Sequence, residues 1–305
     1  MLSDNQVTGS LESLNVHLSK AISTKVEPWF MTLYSGSLKA IHVYSGLETF
    51  IFNIDQHLRC VKQSRDQSTH TTMVFKSNTT RMRFLIDRDS GMTELVKYLV
   101  DIFNIEVIHR AGFDGTFMDK MLVEWLSKEF SGRVLHLRLF LEATTNTNAK
   151  FLLERLSNAK FIRVYHNPQV FLNINLQFNA ADVYLHSPQW LTVHHLHILS
   201  TQTHALKLVE SNMNEGAINQ FLKGWYQRSD QMKLRYIYIS SKKTLYGVLA
   251  GLPCYQESIR KVTTFYMHDE CNKTVFGGYS IIRHDGRSAT IKEDPRSTIL
   301  EIFFW

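Results

Sequence analysis

THALKLVESNMNEGAINQFLKGWYQRSDQMKLRYIYIS, residues 203–240, is the stretch whose reading decides the fold. It reads as strand, helix, strand. Leu206 and Leu208 alternate with Lys207, the period-two pattern of a strand with one face in a core. Asn212 or Asn214 can then cap a helix, with Glu215 in its first turn. Ile218, Phe221, Leu222 and Trp225 follow at i, i+3, i+4 and i+7, which is one apolar stripe. Gly224 inside that helix costs about 1 kcal/mol relative to Ala, so packing against a neighbour has to hold it. In the last segment Leu234, Tyr236 and Tyr238 share one face, and Ile237 and Ile239 the other. Apolar groups on both faces predict a sheet covered on both sides.

The same alternation extends upstream. Strands are expected near Val107, Leu135, Ile162, Val183, Leu206 and Leu234, at intervals of 21–28 residues. Helical stripes fall between most of them. One is Phe117–Phe130, with Met118, Met121, Leu122 and Trp125 on one side. Another is Thr147–Leu156, with Phe151, Leu152 and Leu156. Met92–Phe103 carries a further stripe, Leu95, Tyr98, Leu99 and Ile102. One strand and one helix per unit of this length predicts an α/β fold, a leucine-rich-repeat-like irregular solenoid with a mostly parallel sheet. Before it, LKAIHVYS, ETFIFNI, LRCVKQS, HTTMVFKS and RMRFLI, between residues 38 and 86, predict an antiparallel β meander. After it, Thr244–Leu252 reads as a short helix and residues 258–305 as an antiparallel β cap. There Asp285-Gly286 is a hairpin turn whose two positions both tolerate positive φ. The domain reading is therefore an N-terminal segment, residues 1–30, and one repeat-like domain, residues 31–305. In the first, Leu11, Leu14, Leu18 and Ile22 would line a short helix.

At 305 residues, with 44% hydrophobic and 20% charged residues, the chain can bury a sizeable core and does not resemble a disordered one. The net charge of +6 comes from Lys and Arg scattered singly, without a basic stripe, so nucleic acid is not the expected partner. Cys60, Cys254 and Cys271 are too few and too far apart for a disulfide framework or a zinc site, and reduced thiols fit a cytoplasmic or nuclear protein. MLSDNQVTGS has no basic n-region or apolar h-region, and no window of about 18 apolar residues predicts a membrane span.

Two segments carry a family resemblance. Asn214, Asn219, Phe221, Leu222, Lys223 and Trp225 form N-x-x-x-x-N-x-F-L-K-x-W, and GGYSIIRHDGRSATI, residues 277–291, is followed by IFFW. In that order they resemble the F-box-associated domain of the large nematode F-box family, over about residues 95–305. The resemblance implies a substrate-recognition region of a ubiquitin-ligase adaptor. In that family an N-terminal F-box binds the Skp-type linker of a cullin–RING ligase, and the associated domain presents a target protein. It marks Asn219, Phe221, Leu222, Trp225, Arg283, Asp285 and Gly286 as structural motif residues. The F-box itself usually opens with Leu-Pro and a run of leucines. Residues 1–40 have no Leu-Pro, and only LESLNVHLSKAIS, residues 11–23, matches its last helix. Binding of a Skp-type linker is therefore not expected, whereas binding of a protein target is.

No catalytic set is legible: H-E-x-x-H, G-x-S-x-G and G-x-x-x-x-G-K-[ST] are all missing. His194, His195 and His197, near His186 and His204, lack the Cys or acidic residue that would complete three or four ligands. They are expected on the outer face of a helix, with no metal and no cofactor. The candidate binding residues are those alternating with the core set on the strands: His136, Arg138, Tyr165, Tyr184 and His186. KLRYIYISSKK, residues 233–243, interleaves aromatic and basic residues, and a nucleic-acid reading would stack bases on Tyr236 and Tyr238. Packing of both tyrosines in the sheet is the stronger expectation.

Overall fold

A computed structural model describes residues 7–8, 30–35, 39–45, 48–55, 70–76, 81–87, 91–115, 119–141, 144–166, 177–228, 232–240, 244–265, 273–294 and 298–305. The fold is mixed α/β. The chain divides into two compact units, Met1–Arg138 and Leu139–Trp305.

In the first unit β1 (Val7–Thr8) lies beside β6 (Arg81–Asp87) in parallel. The meander is present as β2 (Phe30–Ser35), β3 (Lys39–Ser45), β4 (Glu48–Asp55), β5 (His70–Lys76) and β6, each antiparallel to the next. The expected strand LRCVKQS and the N-terminal helix over residues 11–23 lie outside the described residues. Helix α1 (Gly91–Phe103) buries Leu95 and Leu99 as the spacing predicts. It leads to β7 (Ile108–Asp114), which pairs in parallel with β2. The expected strand centre at Val107 is too early. A register break opposite Met31 and Thr32 interrupts the alternation, so Ile108, Ala111 and Phe113 are buried out of period.

Asp119 caps α2 (Lys120–Glu129): its carboxylate accepts from Leu122 N at 3.0 Å and from the Thr93 hydroxyl of α1 at 3.3 Å. The stripe on α2 is rotated from the expected one. Leu122, Val123 and Leu126 are buried, whereas Met121 is 52% exposed. Strand β8 (Val134–Leu141) contains the boundary between the units.

The second unit repeats one local plan. Helices α3 (Asn146–Arg155), α4 (Val193–Gln202), α5 (Glu215–Gln227) and α6 (Leu245–Leu249) each begin at a capping side chain, Thr145, Thr192, Asn214 and Thr244 in turn. Strands β9 (Phe161–His166), β10 (Asp182–His186), β11 (Ala205–Val209) and β12 (Tyr236–Ser240) pair in parallel and in register. Ser187 and Glu210, just past the ends of β10 and β11, both take positive φ, 53° and 54°. From there Ser187 N–H donates to Val209 O at 2.8 Å, and Glu210 N–H to Ser240 O at 3.2 Å. Successive strand ends are thus tied in the same way.

At β12 the direction reverses. The chain returns through β13 (Cys254–Phe265), β14 (Lys273–Ile282), β15 (Ser288–Asp294) and β16 (Ile299–Phe304), in the antiparallel order β12-β16-β15-β14-β13. The β14–β15 turn differs from a two-residue hairpin. Arg283 N–H donates to Arg287 O at 2.8 Å, enclosing His284, Asp285 and Gly286. Of these only Gly286 has positive φ, so the loop has three residues, with glycine at its left-handed position.

The helix of the opening stretch explains its own motif. Asn214 Oδ1 accepts from Ala217 N at 2.8 Å and caps α5. Asn219 is buried, and its Nδ2 donates to Val248 O at 2.8 Å and Ala250 O at 2.9 Å, the orphan carbonyls where α6 ends. Ile218, Phe221, Leu222 and Trp225 are all buried. Gly224 allows a close helix approach: a Cβ there would lie 2.8 Å from His197 Cε1 on α4. His197 consequently packs on Phe221, ring centroids 5.1 Å apart, and does not sit on an outer helix face. Trp225 meets Phe304 of β16 at 5.2 Å, and the Arg283 guanidinium stacks 5.5 Å from its ring. Truncating Trp225 to Ala removes this junction and is expected to cost about 3–5 kcal/mol. Thermal melting followed by circular dichroism should show a fall of roughly 6–20 °C. An unchanged melting curve would mean that the stripe does not hold the unit together.

Candidate functional site

Because β9 to β12 and β16 are in register, alternate residues form three cross-strand rows on one face of the second unit. The first row is Phe161, Asp182, Ala205, Tyr236 and Phe303. The second is Arg163, Tyr184, Lys207, Tyr238 and Glu301. The third is Tyr165, His186, Val209, Ser240 and Ile299. The residues between them, Ile162, Val164, Val183, Leu185, Leu206, Leu208, Ile237 and Ile239, are buried.

Toward β16 this face is closed by a second hydrophobic cluster of Ala205, Tyr236, Phe265, Val275 and Phe303, with Tyr238 packed against it. Tyr236 is fully buried, so the reading in which it stacks a nucleic-acid base does not hold. Its hydroxyl donates to Glu301 Oε1 at 2.5 Å and accepts from Lys273 Nζ at 2.6 Å, and Lys273 also pairs with Glu301. The sheet is therefore covered on both sides here, as the two apolar faces of YIYIS predict.

Toward β9 the face is open. Tyr165 is the hub of an aromatic group: Phe140 stacks on it at 5.1 Å and 7°, Tyr184 lies 5.8 Å away and His186 6.0 Å away. Arg163 stands 6.0 Å from the Tyr184 ring. Phe140 is 39% exposed, and Tyr165, Tyr184 and His186 are half-buried. Burial, and then the neighbouring Tyr165, raise the Tyr184 phenol above its ordinary range, so it stays neutral. His186 Nδ1 lies 3.3 Å from Ser187 Oγ, and its Nε2 is 3.7 Å from Glu210 Oε2, beyond hydrogen-bond distance. Ser187, His186 and Glu210 do not form a nucleophilic triad. Ser187 is buried, and its hydroxyl donates to Glu210 at 3.0 Å, so the carboxylate is spent on the serine and not on orienting the imidazole.

Of the candidate binding residues, the structure brings Tyr165, Tyr184 and His186 together. His136 and Arg138 belong to the first unit, where His136 lies edge-on to His109 at 5.3 Å. Phe140 and Arg163 complete the open face and were not singled out from sequence. Phe140 was legible by parity, two residues beyond Arg138 on β8. Among the described residues no cluster of His, Cys, Asp and Glu suits a metal ion, and no helix is long and apolar enough to cross a membrane. In comparisons with protein families, curated proteins and solved structures, nothing matches this chain.

The Tyr236 phenol supplies a pH test. Burial, and then its bond to Glu301, hold its proton far above the ordinary range. The unfolded chain releases the same proton near pH 10, so this contribution is complete below about pH 10 and declines as pH rises above it. Tyr236→Phe is expected to flatten the fall in melting temperature between about pH 10 and 11.5. An alkaline slope equal to that of the wild type would show that Tyr236 titrates freely in the fold.

Proposed function

We propose that the chain is a non-enzymatic protein-recognition module, and that its second unit meets a protein target through the open face of Phe140, Arg163, Tyr165, Tyr184 and His186. The observation that carries this reading is the ring group centred on Tyr165, with Phe140 stacked flat on it. Aromatic and arginine side chains of this kind, prepacked and half exposed, lose little freedom on binding and dominate protein interfaces. The parallel, in-register run β9 to β12, with the same strand-end tie after β10 and β11, supports an irregular leucine-rich-repeat-like solenoid as the scaffold.

The test is affinity purification with mass spectrometry of wild type against a Tyr165→Ala/Tyr184→Ala double variant that keeps the wild-type circular dichroism spectrum. Loss of a specific set of partners in the variant is expected, whereas an unchanged set would place recognition elsewhere.

The motif resemblance suggests the substrate-binding part of an F-box adaptor; a stand-alone interaction scaffold is the alternative. Residues 11–23 offer one short apolar stripe, Leu11, Leu14, Leu18 and Ile22, whereas a stable interface needs well over roughly 1,000 Å². In calorimetric titration the chain is therefore expected not to bind a Skp-type linker at micromolar concentration, with an intact F-box protein as positive control. Micromolar binding abolished by Leu14→Asp would show a working F-box remnant.

A further inference from the structure

The antiparallel cap contains a cleft of about 290 Å³, lined among others by Tyr255, Glu257, Ser280, Ile282, Thr290 and Trp305. It lies apart from the aromatic face of β9 and β10 and does not rest on the function proposed for that face. Register explains its shape. Tyr255, Ser280 and Thr290 are paired partners on β13, β14 and β15. The two middle positions are small, and their hydroxyls lie 3.1 Å apart, which makes a low floor. The walls are large. Tyr255 on one side is 44% exposed and Trp305 on the other 37%. The Trp305 indole N–H donates to Thr290 Oγ1 at 2.9 Å, and its ring packs against Phe265 at 5.4 Å, so this wall is fixed in orientation.

A bulge deepens the cleft. Between the pairs Glu257–Gly278 and Val262–Phe276, four residues of β13 face the single residue Gly277 of β14. Gly277 and Gly278 both take positive φ, 60° and 107°, and a Cβ on Gly278 would lie 2.8 Å from Ile291 O. Only glycine fits that position. The side-chain parity of β14 switches at these two glycines, so Val275 and Gly277 line the same cleft as Ser280 and Ile282.

Two observations name the occupant. Glu257, two residues after Tyr255 on the same strand face, brings a carboxylate to a cleft walled by a tyrosine and a tryptophan. Aromatic faces beside a carboxylate match the chemistry of an organic cation, and a planar guanidinium can stack on the rings while pairing with the acid. In addition, β13 is the last strand of its sheet order, so its outer edge has no strand partner among the described residues. Such an edge is a template for an extended segment. We propose that the cleft receives an arginine side chain carried on an extended segment of a partner protein that lies along β13.

The test follows the Trp305 indole ¹⁵N–¹H signal of the full chain, assigned with Trp305→Phe, during titration with the peptide Ac-Thr-Val-Arg-Val-Thr-amide. A saturable shift of that signal is expected. Replacing arginine by norleucine or by glutamate should weaken the peptide about tenfold or more, and Glu257→Gln should weaken the arginine peptide about fivefold. The norleucine peptide should respond equally to wild type and Glu257→Gln. No saturable shift up to about 10 mM peptide would overturn the proposal, given the millimolar affinities that weak single-site contacts reach. Equal binding of the arginine, norleucine and glutamate peptides, or a Glu257→Gln variant that binds like wild type, would overturn it as well.

Discussion

The second unit depends on one buried cation. Arg283 is 2% exposed. Its Nε donates to Asp285 Oδ1 at 3.0 Å, a terminal nitrogen pairs with Asp285 Oδ2, and the other terminal nitrogen donates to Trp225 O at 3.2 Å. Trp225 O belongs to the last turn of α5, where carbonyls lack helical partners and a positive charge is favourable, and that turn has no basic residue of its own. The charge arrives from the β14–β15 loop, 58 residues downstream. An isolated guanidinium at this depth would be strongly unfavourable, so its partners have to be in place together. Accordingly the bond from Arg283 holds the Asp285 carboxyl below its usual range. Helix end, aromatic stripe and hairpin loop therefore form only as one arrangement.

This changes what the two sequence motifs mean. Asn214 caps a helix, Asn219 satisfies the end of the next, Phe221, Leu222 and Trp225 fill the core, and Arg283, Asp285 and Gly286 make the clamp and its turn. Each of these residues has a structural task, and none lies on the open aromatic face. In this chain, then, both segments specify packing.

Much of the architecture was legible because it rests on local rules. The cap at Asn214, the stripe on α5, the meander and the alternation on β9 to β12 are all short-range patterns. The rest depended on contacts that spacing does not encode. Met121 fits a helical stripe as well as Val123 does, and only the packing of α2 decides which is buried. Tyr236 and Tyr238 look equivalent in YIYIS, yet the cap covers the first and leaves the second half-exposed. His197 fits an outer helix position until the missing side chain at Gly224 brings α5 against it. The open face was half legible: parity gives Tyr165, Tyr184 and His186, but the stacking of Phe140 on Tyr165 joins residues 25 apart. The cleft in the cap was not legible, because its walls come from strands on either side of its floor and its depth from a two-glycine bulge.

The reversal at β12 has a consequence for how such a chain can lengthen. A parallel run built from strand–helix units is open to growth by duplication, since each new unit presents the same edge as the one before. Once β16 pairs antiparallel with β12, residue by residue from Tyr236–Phe303 to Ser240–Ile299, that edge is consumed. The cap acts as a chain terminator in the polymer sense. A duplicated unit has to enter before β12, within the run, and there it inherits neighbours on both sides instead of creating a new end.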